Sequence, residues 1–258
     1  MNAGTTPRIA VVTGGTSGIG LACAEHLLAT GHRVAVFSTR AARVDNARKN
    51  LSRKFGLDNI LAETVDLRQP DALTDFFAKV RATWSSPSVL VCNAGFSPKP
   101  DGQRIAFDAI PLEEWNEVLA VNLTGAMRCC QLAAPGMASN RFGRIILIGS
   151  IAGRALPKIA GASYVASKAA LAGMARSLVS EYASFGVTVN TVAPGNVLTQ
   201  MMGWPDSPVN QAARSRIPAG RMGRPDDIAA VVAFLASDQA EFINGAIIDV
   251  NGGEYVPT

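Results

Sequence analysis

Short apolar runs alternate along the chain with stretches of helical spacing. Ile9–Thr13, Val34–Phe37, Ile60–Val65, Val89–Cys92, Ile145–Ile148, Val187–Val192 and Ala246–Val250 are nearly continuous and rich in β-branched residues. That is the pattern of parallel strands buried on both faces. Gly18–Ala29, Pro70–Thr83, Leu112–Ala133, Tyr164–Ser184 and Asp226–Ala236 repeat apolar positions at helical intervals. Strands and helices in this order, joined by right-handed crossovers, predict an α/β fold: a doubly wound parallel sheet of about seven strands, binding its ligands beyond the carboxyl ends of the strands. No repeat, low-complexity tract or linker divides the chain, so residues 1–258 read as one domain. Two long segments interrupt the alternation, Phe96–Pro111 and Asn196–Arg221, the second containing Pro205, Pro208 and Pro218. Long loops in compact domains are commonly binding loops or lids, so 196–221 is expected to close over substrate. Pro135, in a helical pattern, either kinks a helix or ends it.

Composition narrows the class. Hydrophobic residues make up 48% of the 258 and charged residues 17%, against an ordinary charged share of about 25%. A disordered chain lacks the apolar surface to offset its ordering entropy, and this chain does not; its low charge favours burial against copies of itself. The longest apolar run, Ile228–Ala236, falls well short of the roughly 18 residues of a membrane span. The N-terminal residues have no apolar signal region, which makes a cytoplasmic location the expectation. Cys23, Cys92, Cys129 and Cys130 form no CxxC pair and read as buried free thiols. His26 and His32, in a helix and the turn after it, read as surface residues, and no metal site is expected. The net charge of +4 and pI of about 9.0 come from scattered residues without a basic, aromatic-laced stripe. A single small anionic ligand explains that balance better than nucleic acid.

The candidate chemistry begins at Thr13-Gly14-Gly15-Thr16-Ser17-Gly18-Ile19-Gly20, which follows the first strand and opens the first helix. Glycines there allow a tight turn and let a pyrophosphate approach the free N–H groups of the helix start. A plain βα connection would use the same residues. Asn93-Ala94-Gly95 follows the fourth strand; Asn122 lies in Val-Asn-Leu-Thr-Gly; Ser150 ends the fifth strand; Tyr164 and Lys168 are one helical turn apart; and Pro194-Gly195 follows the sixth strand. Together, in this order and over essentially the whole chain, these segments resemble the short-chain dehydrogenase/reductase family, which implies a Rossmann-type fold and a nicotinamide-dependent oxidoreductase.

Tyr164 and Lys168 project from one helix face. A neighbouring ammonium favours phenolate, so Lys168 is expected to pull the Tyr164 pKa down toward the working pH. The resemblance implies that Tyr164 exchanges a proton with the carbonyl or alcohol oxygen, that Ser150 hydrogen-bonds that oxygen, that Lys168 also holds the nicotinamide ribose, and that Asn122 keeps a relay water behind Lys168. It implies further cofactor contacts at Gly14, Thr16, Ser17, Gly18, Ile19, Gly20, Asp66, Leu67, Asn93, Ala94, Gly95, Pro194, Gly195, Val197 and Thr199. Asp66 equally suits a turn cap and Thr199 an ordinary loop hydroxyl. At the end of the second strand, Ser38 stands where an acid would accept a ribose 2′-hydroxyl, and Arg40 is near enough to pair with a 2′-phosphate. NADP(H) is therefore expected over NAD(H).

Ile217-Pro-Ala-Gly-Arg-Met-Gly, Val232-Ala-Phe-Leu-Ala-Ser-Asp and Val250-Asn-Gly-Gly-Glu-Tyr are most similar to bacterial 3-oxoacyl-[acyl-carrier-protein] reductases. That similarity implies a 3-oxoacyl thioester substrate and a homotetramer, with Leu112–Ala133 and Tyr164–Ser184 as one interface and the last strand as another. Three features depart from the pattern. The Ser150 to Tyr164 interval is one residue longer than usual, in the loop Arg154–Ser163. The 96–111 segment is long. Of two arginines that meet the acidic carrier, Arg141 has a counterpart while Phe185 occupies the second position. A reductase or dehydrogenase of a free small ketone, sugar or cyclic alcohol is the nearest alternative; a non-catalytic NADP(H) sensor is a third, disfavoured by the presence of Ser150, Tyr164 and Lys168.

Overall fold

A computed structural model describes residues 7–200 and 207–257. The seven strands are β1 Ile9–Thr13, β2 Arg33–Ser38, β3 Ile60–Thr64, β4 Val89–Cys92, β5 Gly143–Ile148, β6 Val187–Pro194 and β7 Ile247–Val250. They form one wholly parallel sheet in the order β3-β2-β1-β4-β5-β6-β7. Strand order reverses between β1 and β4, and the crevice of a doubly wound sheet opens at such a switch.

Alternate strand residues face opposite sides, so one strand serves two cores. Ala10, Val12, Val34, Val36, Val89 and Val91 face one side, packed by helices α1 (Gly18–Ala29), α2 (Ala41–Phe55) and α8 (Pro225–Leu235) through Leu27, Leu51 and Val232. Ile9, Val11, Phe37, Leu90, Ile145 and Leu147 face the other, packed by α3 (Pro70–Thr83), α5 (Gly125–Ser139) and α6 (Ala162–Tyr182) through Phe76, Met137 and Leu171. Each such large side chain contributes roughly 1.5–3 kcal/mol by leaving water. The result is the expected single-domain, Rossmann-type α/β fold. Cys23, Cys92, Cys129 and Cys130 are buried free thiols. Among the described residues no helix is long and apolar enough to cross a membrane.

Two expectations change. The alternation left Ala41–Phe55 unassigned, yet it is a regular helix, α2; only Val44, Ala47 and Leu51 of its fifteen residues are buried, so its apolar stripe is thin. Leu112–Ala133 is not one helix. The chain runs through α4 (Leu112–Leu119), a π turn at Ala120–Thr124, and α5, which continues past Pro135 to Ser139. Pro135 therefore does not end the helix. The long loop after β6 contains the short helix α7 (Pro208–Arg214), and its base is closed by Leu198 N–H to the Gly223 carbonyl (2.9 Å) and Gly223 N–H to the Asn196 carbonyl (2.9 Å). Residues 201–206 of this expected lid, with Pro205, lie outside the described residues, as do 1–6, where no signal region was expected.

Candidate active site

A cleft of about 880 Å³ opens beyond the carboxyl ends of the strands, at the β1/β4 switch. The turn between β1 and α1 forms its floor. Gly14 (φ +63) and Gly18 (φ +53) adopt the left-handed conformation that glycine tolerates best. A Cβ on Gly18 would press on the Thr199 methyl at 3.3 Å. No acid lies in the first turn of α1, and Ser17 offers no side-chain cap, so the helix's first N–H groups face the cleft without a competing carboxylate. These features fit a dinucleotide pyrophosphate.

Asn93 locks the switch. Its amide donates to the carbonyls of Thr13 (3.0 Å) and Gly14 (3.3 Å), while Thr13 Oγ1 accepts from the backbone N–H groups of Asn93 (3.0 Å) and Ala94 (2.8 Å). Asn93 lines the cleft, but its amide protons are spent on joining the ends of β1 and β4. Gly20, expected to bind cofactor, is not part of the cleft wall. It is a packing glycine: an added Cβ would lie 2.4 Å from both Asn93 Nδ2 and the Gly14 carbonyl oxygen.

At the nucleotide end, Thr16 Oγ1 donates to Ser38 Oγ (2.9 Å), beside Thr39, Arg40 and Arg43. Among the described residues Arg40 makes no ion pair; Arg43 donates to Gln200 Oε1 (2.7 Å). Asp66 and Leu67 line the far wall. The Asp66 carboxylate accepts from the Arg68 N–H (2.9 Å) and guanidinium (2.7 Å), contacts that lower its pKa. Its turn-capping alternative is thus realised, with the carboxylate still on the cleft.

The reactive end gathers Ser150, Tyr164 and Lys168 from β5's end and the start of α6. The Ser150 hydroxyl accepts from the Ala152 N–H (3.1 Å), and its proximity to the Tyr164 phenol favours the ionised form. Burial is the larger effect and pushes the Tyr164 phenol above its ordinary pKa of 10.0. The expected depression by Lys168 is therefore not what this arrangement produces. The Lys168 ammonium stands 5.7 Å from the ring centroid and donates instead to the Ile148 carbonyl (2.7 Å). Lys168 itself is buried, and desolvation lowers it from 10.5 to about 8.

Asn122, 1% exposed, stands behind the cleft rather than on its wall. It occupies the π turn, a distortion frequent at functional sites. Its carbonyl oxygen accepts from the Phe96 N–H (3.0 Å), and its amide donates to the Phe96 carbonyl (3.0 Å) and Ser167 Oγ (3.1 Å). It thereby ties the loop after Gly95 to α6. A Cβ on Gly95 would lie 3.0 Å from Asn122 Oδ1 and 3.3 Å from Lys168 Nζ, so only glycine leaves that space open.

Gly14, Thr16, Ser17, Gly18, Ile19, Ser38, Arg40, Ala94, Gly95, Pro194, Gly195, Val197 and Thr199 all line the same cleft. Arg43, Lys99, Lys158, Arg216 and Glu254 do as well, and the sequence reading missed these roles. Arg43 was recoverable, because it lies one turn beyond Arg40 in α2. The others come from irregular segments with no periodic signal. Arg154, in the longer loop after Ser150, is not part of the wall; it pairs with Asp249 of β7 and lies over the Tyr255 ring (5.4 Å).

A parallel sheet with an anion-receptive glycine turn at its switch point, and a serine, a tyrosine and a buried lysine beside it, defines a dinucleotide-dependent oxidoreductase. Comparison with known proteins agrees. A family model described as Enoyl-(Acyl carrier protein) reductase matches residues 14–254. The 3-oxoacyl-[acyl-carrier-protein] reductase MabA of Mycobacterium tuberculosis is 42% identical over 246 residues, 95% of this chain and 92% of that protein. The acetoacetyl-CoA reductase of Shinella zoogloeoides is 37% identical over 249 residues, 96% and 98% of the two chains. The crystal structure of gox2181 superposes with a TM-score of 0.88 at 30% identity, covering 97% of this chain and 96% of that one. The chain belongs to the short-chain dehydrogenase/reductase family, whose members use a nicotinamide cofactor to act on CH–OH groups and the corresponding carbonyls.

Proposed function

We propose that this enzyme reduces the keto group of a 3-oxoacyl thioester to the 3-hydroxyacyl thioester with NADPH. The convergence of Ser150, Tyr164 and Lys168 on one end of the cleft, from the end of β5 and one face of α6, is the observation that carries this reading. When bound, the nicotinamide supplies a hydride to the carbonyl carbon. Ser150 Oγ donates a hydrogen bond to the carbonyl oxygen and holds it against Tyr164, whose Oη gives up its proton to that oxygen as negative charge develops. A phenol of raised pKa is fully protonated at neutral pH and ready to act as the acid in this direction. Lys168 would hold the ribose hydroxyls of the bound cofactor. Asn122 fixes the wall behind Lys168 and keeps a relay water there.

Arg40 and Ser38 would take the 2′-phosphate, Asp66 and Leu67 the adenine side, Gly14, Thr16, Ser17, Gly18 and Ile19 the pyrophosphate, and Asn93, Ala94, Gly95, Pro194, Gly195, Val197 and Thr199 the nicotinamide half. Segment 196–221, of which 201–206 lie outside the described residues, would be the substrate loop. The thioester assignment is supported by the names of the relatives above. The location would be cytoplasmic and the assembly a homotetramer, the latter supported by the open edge strand β7 and by the exposed Phe234 and Phe242.

A second reading, a free ketone or secondary alcohol as substrate, is favoured by the carrier-docking position. Arg141 donates to the Ser184 carbonyl (3.2 Å), so it lies beside Phe185, an exposed aromatic where a second arginine would meet an acidic carrier. Rates with NADPH on acetoacetyl-carrier protein, acetoacetyl-CoA and unlinked ketones separate the two. Tyr164→Phe is expected to lower kcat by about 10²–10⁴ while cofactor affinity holds. Unchanged turnover in that variant, or activity confined to unlinked ketones, would overturn the proposal.

A further inference from the structure

Among the described residues, seven basic residues line the cleft against three acidic ones. Each of these three acids is already partnered: Asp66 with Arg68 (2.7 Å), Glu117 with Arg68 (2.8 Å), and Glu254 with Asn196 (2.8 Å) and the more distant Arg216 (3.9 Å). Of the cations, Arg68 and Arg216 pair with these acids, Arg40 and Arg43, the latter donating to Gln200 (2.7 Å), belong with the nucleotide, and Lys168 with the reacting centre. Lys99 and Lys158 are left over, and neither makes an ion pair among the described residues. They rise from different loops, Lys99 from the segment after Gly95 and Lys158 from the loop after Ser150.

Lys99 is half-buried, and desolvation holds its ammonium below the ordinary pKa. A desolvated charge without a counterion is costly unless a ligand supplies one. Ser97, two residues earlier on the same cleft wall, has a buried hydroxyl oxygen with no hydrogen-bond partner among the described residues. A cation and a spare hydroxyl on one strip of backbone suit an oxyanion, which accepts from both.

We propose that Lys99, with Ser97 and Lys158, forms a subsite for an anionic group carried by the substrate away from its carbonyl, which on the thioester reading of this enzyme is a phosphate of the pantetheine-bearing arm. Lys99 is the specificity-determining member because its charge is partly withdrawn from water; Lys158, more exposed, adds less.

Two substrates with the same reacting thioester test this. Acetoacetyl-CoA carries phosphates, whereas acetoacetyl-N-acetylcysteamine ends in a neutral amide. The wild-type enzyme is expected to favour the first in kcat/KM. Lys99→Gln should cut that preference roughly ten- to hundred-fold, mainly through KM, Lys99→Arg should keep it, and Lys158→Gln should lower it only a few-fold. Added salt should erode it in the wild type. A wild-type ratio near one, or a ratio that Lys99→Gln leaves unaltered, would overturn the subsite while leaving the thioester activity standing. If neither thioester is turned over, the thioester assignment fails, and a keto acid set against its methyl ester tests the same anion. Acid preference lost in Lys99→Gln then supports the subsite, and no acid preference refutes it.

Discussion

Lys168→Met is expected to make the protein inactive yet no less stable. Burial lowers the Lys168 pKa from 10.5 to about 8, and at about 1.4 kcal/mol per unit this corresponds to roughly 3 kcal/mol of destabilisation from holding the ammonium in the fold near pH 7. Methionine fills much of the same volume without that charge. Against the gain stands the loss of the 2.7 Å bond to the Ile148 carbonyl, which leaves a buried acceptor unpaired at about 1–3 kcal/mol. The variant should therefore fall between neutral and about 2 kcal/mol more stable, the pattern of a residue kept for chemistry at the expense of stability. The effect has a pH signature. Between about pH 8 and 10.5 the unfolded chain holds the Lys168 proton more firmly than the folded one, so raising pH favours the wild-type fold. The difference between variant and wild type should shrink by about 2 kcal/mol from about pH 7 to about pH 9.5. Urea unfolding of both proteins at equal chain concentration measures it, since association would otherwise add to apparent stability. A difference independent of pH, or a variant destabilised by more than about 2 kcal/mol, would refute the reasoning.

Arg40→Ala should reduce the kcat/KM preference for NADPH over NADH by about tenfold, the worth of one charge-assisted hydrogen bond in an accessible position; an undiminished preference would assign the 2′-phosphate to other residues. Gly20→Ala forces a methyl to within 2.4 Å of the Asn93 amide and the Gly14 carbonyl oxygen, and should cost about 1–3 kcal/mol in urea unfolding together with weaker cofactor binding. A variant as stable as wild type, with normal cofactor titration, would show that the turn tolerates the shift.

The elements legible in the chain were those that bury most. β1, β4 and α1 lie where their apolar runs put them, because strands covered on both faces leave few polar positions to blur the signal. α2 escaped notice for the opposite reason: three buried positions in fifteen residues make a faint stripe. The π turn was also invisible, since Leu112–Ala133 carries the same apolar spacing whether its hydrogen bonds skip four residues or five.

The site divides in the same way. Local sequence determined which segments carry chemistry, because a glycine turn, a strand-ending serine and a Tyr–Lys pair one helical turn apart are short-range patterns that backbone geometry translates directly. Only the tertiary structure decided what each residue faces. It set Gly20 beneath Asn93 rather than on the cleft, put Asn122 behind Phe96, and left the Lys168 ammonium on the Ile148 carbonyl while burial raised the Tyr164 phenol. It also brought Lys99 and Lys158 into one cleft across more than fifty residues of chain. Desolvation and pairing depend on which distant segments enclose a group, and residue spacing along the chain carries no record of that enclosure.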